Sequence, residues 1–193
     1  MKIVDNFLSE TYFNSLQSYI SSSTTQPWYY NDNISINKKT NDLGGFGFSY
    51  TILKCKGEYL ESYYDKYIES GSYTLRTLKR FLFEMRAVTG CDKILRSRMD
   101  MTVYSGKSKI LEPHTDYKYP HTACIFYVND SDGNTVIYDQ VYNDKDGCNQ
   151  ELTIKEEIEP KANRLVVFDG MHIHTGHTPS KHNNRVLINS NFV

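Results

Sequence analysis

Apolar residues recur along this chain with one period before about residue 90 and with another after it. MKIVDNF reads as a short strand, and Tyr12, Leu16, Tyr19 and Ile20 then fall at helical spacing. That spacing predicts a helix over residues 9–21, with Ser9 placed to act as its N-cap. GEYLESYYDKYIE (residues 57–69) and YTLRTLKRFLFEMRAVTG (73–90) carry the same period. In the second the stripe is Leu75, Leu78, Leu82, Met85 and Val88, and Gly90 supplies a stop. These helices are expected to brace one side of a sheet. Trp28, Tyr29 and Tyr30 form an aromatic knot in a polar, Pro-containing loop, read as a packing anchor. NDLGGFGFSY (41–50) suits a tight loop or a strand edge that a substrate could approach.

From Ile94 the period becomes two. ILRSRMDMTVY alternates, Ser105 and Gly106 make a turn, and ILEPHTD follows as another extended run. TACIFYVN, NTVIYD, ELTIKEEIE, NRLVVFD and RVLINSNFV are further strands, with DSDG and NDKDG as turns between them. No long crossover helices separate these strands, so they must be mostly antiparallel and close into a double-sheet jelly roll. The expected fold is therefore mainly β with flanking helices (α+β): one domain over residues 1–193, with a helical support region at 1–93 and a jelly-roll core at 94–193.

Length, charge and cysteines narrow the setting. A chain of 193 residues can bury a sizeable core without staples. A formal net charge of -1 argues against broad attachment to nucleic acid or an anionic membrane. Lys93, Arg96, Arg98, Lys107 and Lys109 could border a phosphate track, but solvated strand edges account for them better. Cys55, Cys91, Cys124 and Cys148 are widely spaced and follow no signal-peptide-like start, which points to reduced thiols and a cytoplasmic protein. No apolar run is long enough to span a membrane. The terminal RVLINSNFV could pair with another chain, although a jelly roll normally buries its last strand, so the oligomeric state stays open.

All six histidines lie from His114 onward. On an extended chain His114 and Asp116 project to one side and can grip one metal ion, and a distal histidine would complete the site. His172, His174 and His177 compete for that place, and His174 is favoured. Two imidazoles and one carboxylate leave one face of an ion open, the arrangement of non-haem Fe(II) oxygenases. A zinc hydrolase can use the same donors. Arg185 discriminates, because its planar fork can hold the far carboxylate of a dicarboxylate co-substrate, which a hydrolase does not need.

With these residues in view, the chain resembles the Fe(II)- and 2-oxoglutarate-dependent dioxygenases, in their prolyl-4-hydroxylase-like branch. Tyr104 and Gly106 precede the HxD of His114 and Asp116; CIFYVN (Cys124 to Asn129) matches an apolar strand ending in Tyr-aliphatic-Asn. IEPKANRLVVF (Ile158 to Phe168) leads to His174 and Pro179, and then to Arg185 in the last strand. The resemblance covers residues 94–193, and the N-terminal helix weakly. It implies that His114, Asp116 and His174 bind Fe(II), and that Arg185 and Tyr127 hold the distal carboxylate of 2-oxoglutarate. Tyr104 would line that pocket.

The implied activity is hydroxylation of a C–H bond with O2 as oxidant and succinate and CO2 as co-products, and it admits ascorbate as a reductant. The substrate it favours is a peptidyl proline or another protein side chain; a nucleobase or small metabolite is the alternative. Departures are visible. Leu187 stands where many relatives carry Ser or Thr, Asn189 where some carry Thr, and a glycine pair is reduced to DGNT (Asp132 to Thr135). Asn189 remains a candidate for hydrogen-bonding the co-substrate. His172 and His177 are unusual beside the ligand position and could orient ligands. A non-catalytic jelly-roll binding module is the reading of another class; loss of a ligand or of the arginine would mark it, and this chain has lost neither.

Overall fold

The computed structural model describes residues 1–22, 26–32, 36–37, 42–43, 46–54 and 73–193. The helix expected at 57–69, the pair Gly44 and Gly45, and Cys55 lie outside the described residues. The elements run β1 (Lys2–Val4), α1 (Glu10–Ser21), β2 (Tyr29–Asn31), β3 (Ile36–Asn37), β4 (Asp42–Leu43), β5 (Gly47–Lys54) and α2 (Tyr73–Thr89). Then come β6 (Ile94–Val103), β7 (Thr122–Tyr127), β8 (Thr135–Val141), β9 (Ile154–Ile158), β10 (Arg164–Asp169), β11 (His172–Gly176) and β12 (Asn184–Phe192).

Seven strands form the main sheet in the order β1-β10-β7-β12-β6-β5-β2. The facing sheet is β11-β8-β9, and β3 with β4 makes a separate ribbon. All these pairings are antiparallel. This is the jelly roll expected from the period-two pattern. The terminal strand β12 is paired on both sides, by β6 and β7, so its apolar edge is already satisfied.

Two differences from the expected architecture have simple causes. Residues 1–93 are not purely helical: besides the expected strand β1, both β2 and β5 join the main sheet, and GFSY from Gly47 opens a strand, one of the two readings, loop or strand edge, of that stretch. Glycine next to aromatics signals both alike, and only the pairing of Gly47 with Thr102 on β6 decides between them. The run ILEPHTD, for its part, is not a ladder strand. It touches β11 only through isolated bridges, Ile110 to His177 and His114 to His174, because Pro113 has no N–H to give a ladder.

The outer face of the main sheet packs on α1 and α2 through one core, in which Phe126 is fully buried among Phe7, Phe13 and Phe81, with ring centroids at 6.0, 6.2 and 5.0 Å. Leu78, Leu82 and Met85 of the expected stripe are buried there. Ser9 precedes α1 without a side-chain cap; its carbonyl accepts the Phe13 N–H at 2.8 Å instead. Trp28 packs against this core, whereas Tyr29 and Tyr30 are exposed on the edge strand β2. A second core lies between the sheets, with Ile125, Tyr127, Ile137, Val166, Phe168 and Leu187. Cys91, Cys124 and Cys148 are free thiols. Among the described residues no helix is long and apolar enough to cross a membrane.

Candidate metal centre and co-substrate pocket

Strand alternation decides what faces the space between the sheets. On β6, Met99 and Met101 point to the helix-side core, while Arg96, Arg98, Asp100 and Thr102 line a cavity of about 600 Å³. On the neighbouring β12, Val186 and Ile188 go to the core, while Arg185, Leu187 and Asn189 face the cavity. His114, Asp116 and His174 line its opposite wall.

The two imidazoles meet because of backbone pairing. His114 and His174 exchange both N–H···O=C bonds, each 2.9 Å, so they are directly opposite residues of an antiparallel pair with side chains on one side. Their ring centroids are 4.8 Å apart. The register of β11 shifts between His172 and His174, and this irregularity separates the two side chains that a regular strand would put on one face. His174 turns in. His172 turns away, with Nδ1 bonded to the Tyr138 carbonyl (2.8 Å) and Nε2 to Lys155 Nζ (3.1 Å). His177 lies outside the cluster too, with its Nε2 buried and unpartnered.

One candidate ligand atom from each of His114, Asp116 and His174 lies within 4.8 Å of the others. The tautomers suit a metal. His114 Nδ1 contacts the Glu112 carbonyl and His174 Nδ1 the His172 carbonyl, each at 2.9 Å. A carbonyl only accepts, so each Nδ1 carries a proton, which in the neutral ring leaves the Nε2 lone pair for a ligand bond. Burial pushes His174 down to about 4, His114 adds to this, and Asp116 opposes it. A neutral imidazole, the form a cation needs, is the result. Burial acts to raise the Asp116 carboxyl, but the Arg96 guanidinium, with help from the Asn191 amide, holds it well below the usual carboxylate range.

The other end of the cavity is built for an anion. Arg185 is only 6% exposed, and no carboxylate lies within ion-pairing distance of it among the described residues. Its Nη2 donates to Thr135 Oγ1 at 2.7 Å, its guanidinium lies 5.7 Å from the Tyr127 ring centroid, and its Nε is buried without a partner. The Tyr127 hydroxyl donates to the same Thr135 oxygen at 2.6 Å. Burial lowers the Arg185 pKa, against the pull of Tyr127 and Asp100. Glycine keeps the space open: a Cβ on Gly176 would stand 3.3 Å from both Nη atoms, and one on Gly133 would meet the His177 carbonyl at 2.5 Å and Arg185 Cδ at 2.8 Å. Of the reduced glycine motif DGNT, the residue kept is the one this close approach requires.

Two expected roles are corrected or moved. Tyr104 follows the end of β6, is half exposed, and turns its hydroxyl to the Gly106 carbonyl at 3.3 Å, so it does not line the cavity. Asn189 does line it, but at the metal end, where its Nδ2 donates to Asp116 Oδ2 at 3.2 Å. The sequence reading missed Thr135 and Asn191, and it placed Arg96 and Arg98 on solvated edges although both line the cavity. Strict alternation of Arg96, Arg98, Asp100 and Thr102 was the available signal.

Comparison with known proteins agrees with this geometry. Residues 99–193 match the model of the 2OG-Fe(II) oxygenase superfamily. The chain carries a domain of that superfamily and is a 2-oxoglutarate- and Fe(II)-dependent oxygenase, of an enzyme class that uses Fe(II), 2-oxoglutarate and O2. Its fold is similar to that of a prolyl hydroxylase from Trichoplax adhaerens, solved with a hypoxia inducible factor peptide fragment. The identity is 13%, with 99% of this chain and 82% of the other covered and a TM-score of 0.62. A Pseudomonas putida prolyl-4-hydroxylase is also 13% identical, covering 99% and 90%, with a TM-score of 0.52. The epimerase SnoN of nogalamycin biosynthesis, solved with Fe3+, alpha ketoglutarate and nogalamycin RO, is 11% identical, covering 99% and 77%, with a TM-score of 0.61. No curated protein sequence matches the chain.

Proposed function

We propose that residues 1–193 work as one dioxygenase domain that hydroxylates a C–H bond of a peptidyl proline or another protein side chain. His114, Asp116 and His174 hold Fe(II), and Arg185 receives the distal carboxylate of 2-oxoglutarate, with Tyr127 and Thr135 ordering the guanidinium. The observation that carries this reading is the buried Arg185 cation, which shares a cavity with the His-Asp-His cluster and has no carboxylate within ion-pairing distance among the described residues. A buried charge without a counter-charge is costly, and a dicarboxylate supplies what is missing.

The iron, 2-oxoglutarate and O2 supply the oxidising power: one oxygen atom ends in succinate, released with CO2, and the other in the hydroxyl of the product. The chain's own residues hold the ions and exclude water. Nδ1–H of each imidazole, fixed on a backbone carbonyl, aims Nε2 at the metal. Ile125 and Leu187 line the wall between the two charged ends and keep that stretch apolar. No side chain acts as a nucleophile. The preference for a protein substrate rests on the prolyl-hydroxylase-like strands CIFYVN and IEPKANRLVVF and on the fold shared with prolyl hydroxylases.

The deciding experiment adds Fe(II) and 2-oxoglutarate without oxygen, looks for a visible metal-to-ligand charge-transfer band, and then admits O2 and measures succinate with prolyl peptides present. A band, with succinate formation stimulated by a peptide, is expected. Bound metal without a band would overturn the co-substrate assignment, and succinate formation indifferent to every peptide would overturn the substrate class.

A further inference from the structure

We propose that Arg96 is a positioning residue of the metal centre, holding one oxygen of Asp116 so that only the other is presented to the ion. The inference rests on His114, Asp116 and His174 being the ligands.

The two carboxylate oxygens are not equivalent. Oδ1 accepts from Arg96 Nη2 at 2.5 Å. Oδ2 accepts from Asn191 Nδ2 at 2.9 Å and Asn189 Nδ2 at 3.2 Å, and lies 3.9 Å from His174 Nε2. One oxygen therefore faces a guanidinium and the other faces the imidazole cluster. A carboxylate free to turn can offer a cation both oxygens. An open three-ligand site needs one donor atom from each residue.

Arg96 is itself fixed. Its strand is paired on both sides, by β12 and β5, and its direct partner across β12 is Asn191, which reaches the same carboxylate. The Tyr117 ring centroid lies 5.9 Å from its guanidinium carbon. With side-chain exposures of 16% and 5%, the pair is not a solvent-screened surface contact.

Three roles for Arg96 make different predictions. An ion pair that only holds the fold would affect unfolding and leave a bound metal unchanged. A guanidinium acting only as a nearby positive charge would oppose the cation, and its loss would tighten binding. A positioning residue would, when lost, weaken binding and change the ligand field together. Co(II) separates these, because the position and intensity of its visible bands report coordination geometry without turnover.

The test is a Co(II) titration of the full chain, followed by absorbance, for the wild type, Arg96→Met and Arg96→Lys. Binding roughly 10–100-fold weaker in Arg96→Met, with altered bands, is expected from the usual effect of removing a group that orients a ligand. Arg96→Lys keeps the charge but not the planar fork, and it should show a smaller change in the same direction. It decides the matter alone if Arg96→Met folds poorly. Unchanged bands and affinity in a folded variant would overturn the proposal, as would tighter binding. A wild-type protein that takes up no Co(II) would overturn the metal centre itself, a result distinct from a normal wild type with an unaffected variant.

Discussion

The cavity has two charged ends that have solved opposite problems. At one end the Asp116 carboxylate is surrounded by donors: Arg96 on one oxygen, Asn189 and Asn191 on the other. At the far end the Arg185 guanidinium is equally buried but has no ion-pair partner among the described residues: it meets the Thr135 hydroxyl and Tyr127, and the Asp100 carboxylate pulls on it only from beyond ion-pairing distance. The first charge is compensated before anything binds. The second gains a direct counter-charge only when an anion arrives. Burying an unpaired cation costs several kcal/mol in effective terms, so a chain that keeps one is holding it for a ligand. The comparison separates geometry, which the metal end fixes in advance, from affinity, which the co-substrate end holds in reserve.

The largest expected effect breaks the metal end. His174→Ala removes one of three donors from a site with no fourth among the described residues, and should abolish Fe(II) or Co(II) uptake, read by metal analysis after gel filtration. Retained uptake would show that a different histidine closes the site. Asp116→Ala should be equally severe for the metal and worse for folding, because it strands the partly buried Arg96 without its counter-charge.

The next largest effect breaks the other end and leaves the first intact. Arg185→Leu should weaken 2-oxoglutarate binding by about 2–5 kcal/mol, the range for truncating one partner of a buried charged contact, with Co(II) affinity nearly unchanged. The same variant should be no less stable than wild type without ligand, since it removes an uncompensated buried charge. Saturating 2-oxoglutarate should stabilise the wild type by about 2.7 kcal/mol at a hundredfold excess over Kd, raising its unfolding midpoint, and leave that of Arg185→Leu where it was. An equal shift in both proteins would take Arg185 out of the pocket.

How much of this was legible in the sequence follows the range of the interactions. The strands from Ile94 onward were readable because their side chains alternate between core and cavity or solvent, a local property. His114, Asp116, His174 and Arg185 were readable because few residue types bind metals or carboxylates. Arg96 was not, because its meaning depends on β6 lying between β12 and β5. On an edge strand the same alternation of Arg96, Arg98, Asp100 and Thr102 would be a solvated face. The placement of Tyr104 failed for a related reason: whether a residue at the end of β6 turns in or out depends on the following turn, where Gly106 sits at φ 95. Thr135 was missed because a threonine in a strand is ordinarily unremarkable. Only the meeting of Arg185 and Tyr127 on its oxygen gives it a role.

Thr135 sharpens the contrast at smaller scale. Its hydroxyl oxygen accepts two hydrogen bonds, so its own proton must be donated elsewhere, and the residue borders the cavity. Thr135→Val keeps the shape but leaves Tyr127 Oη and Arg185 Nη2 without this acceptor. A cost of about 1–3 kcal/mol in ligand-free stability is expected, together with roughly tenfold weaker 2-oxoglutarate binding from the loss of one hydrogen bond. Tyr127→Phe removes one donor while Arg185 keeps its bond to Thr135, so its effect on binding should be the smaller of the two. The reverse order would mean that the Tyr127 hydroxyl contacts the co-substrate directly.

The smallest expected effect belongs to His172, and its smallness is informative. His172 is next but one to His174 and would share its face on a regular strand, yet the shift in register turns its ring toward Tyr138 and Lys155. Its one link to the metal end is its backbone carbonyl, which accepts from His174 Nδ1, and that carbonyl survives any side-chain substitution. His172→Ala should therefore change Co(II) affinity less than about threefold, well under the 10–100-fold typical of groups that orient a ligand, and leave the Co(II) bands in place. A tenfold loss would mean that the ring steadies the local geometry of β11, and that the metal end depends on strand irregularity as well as on its three donors.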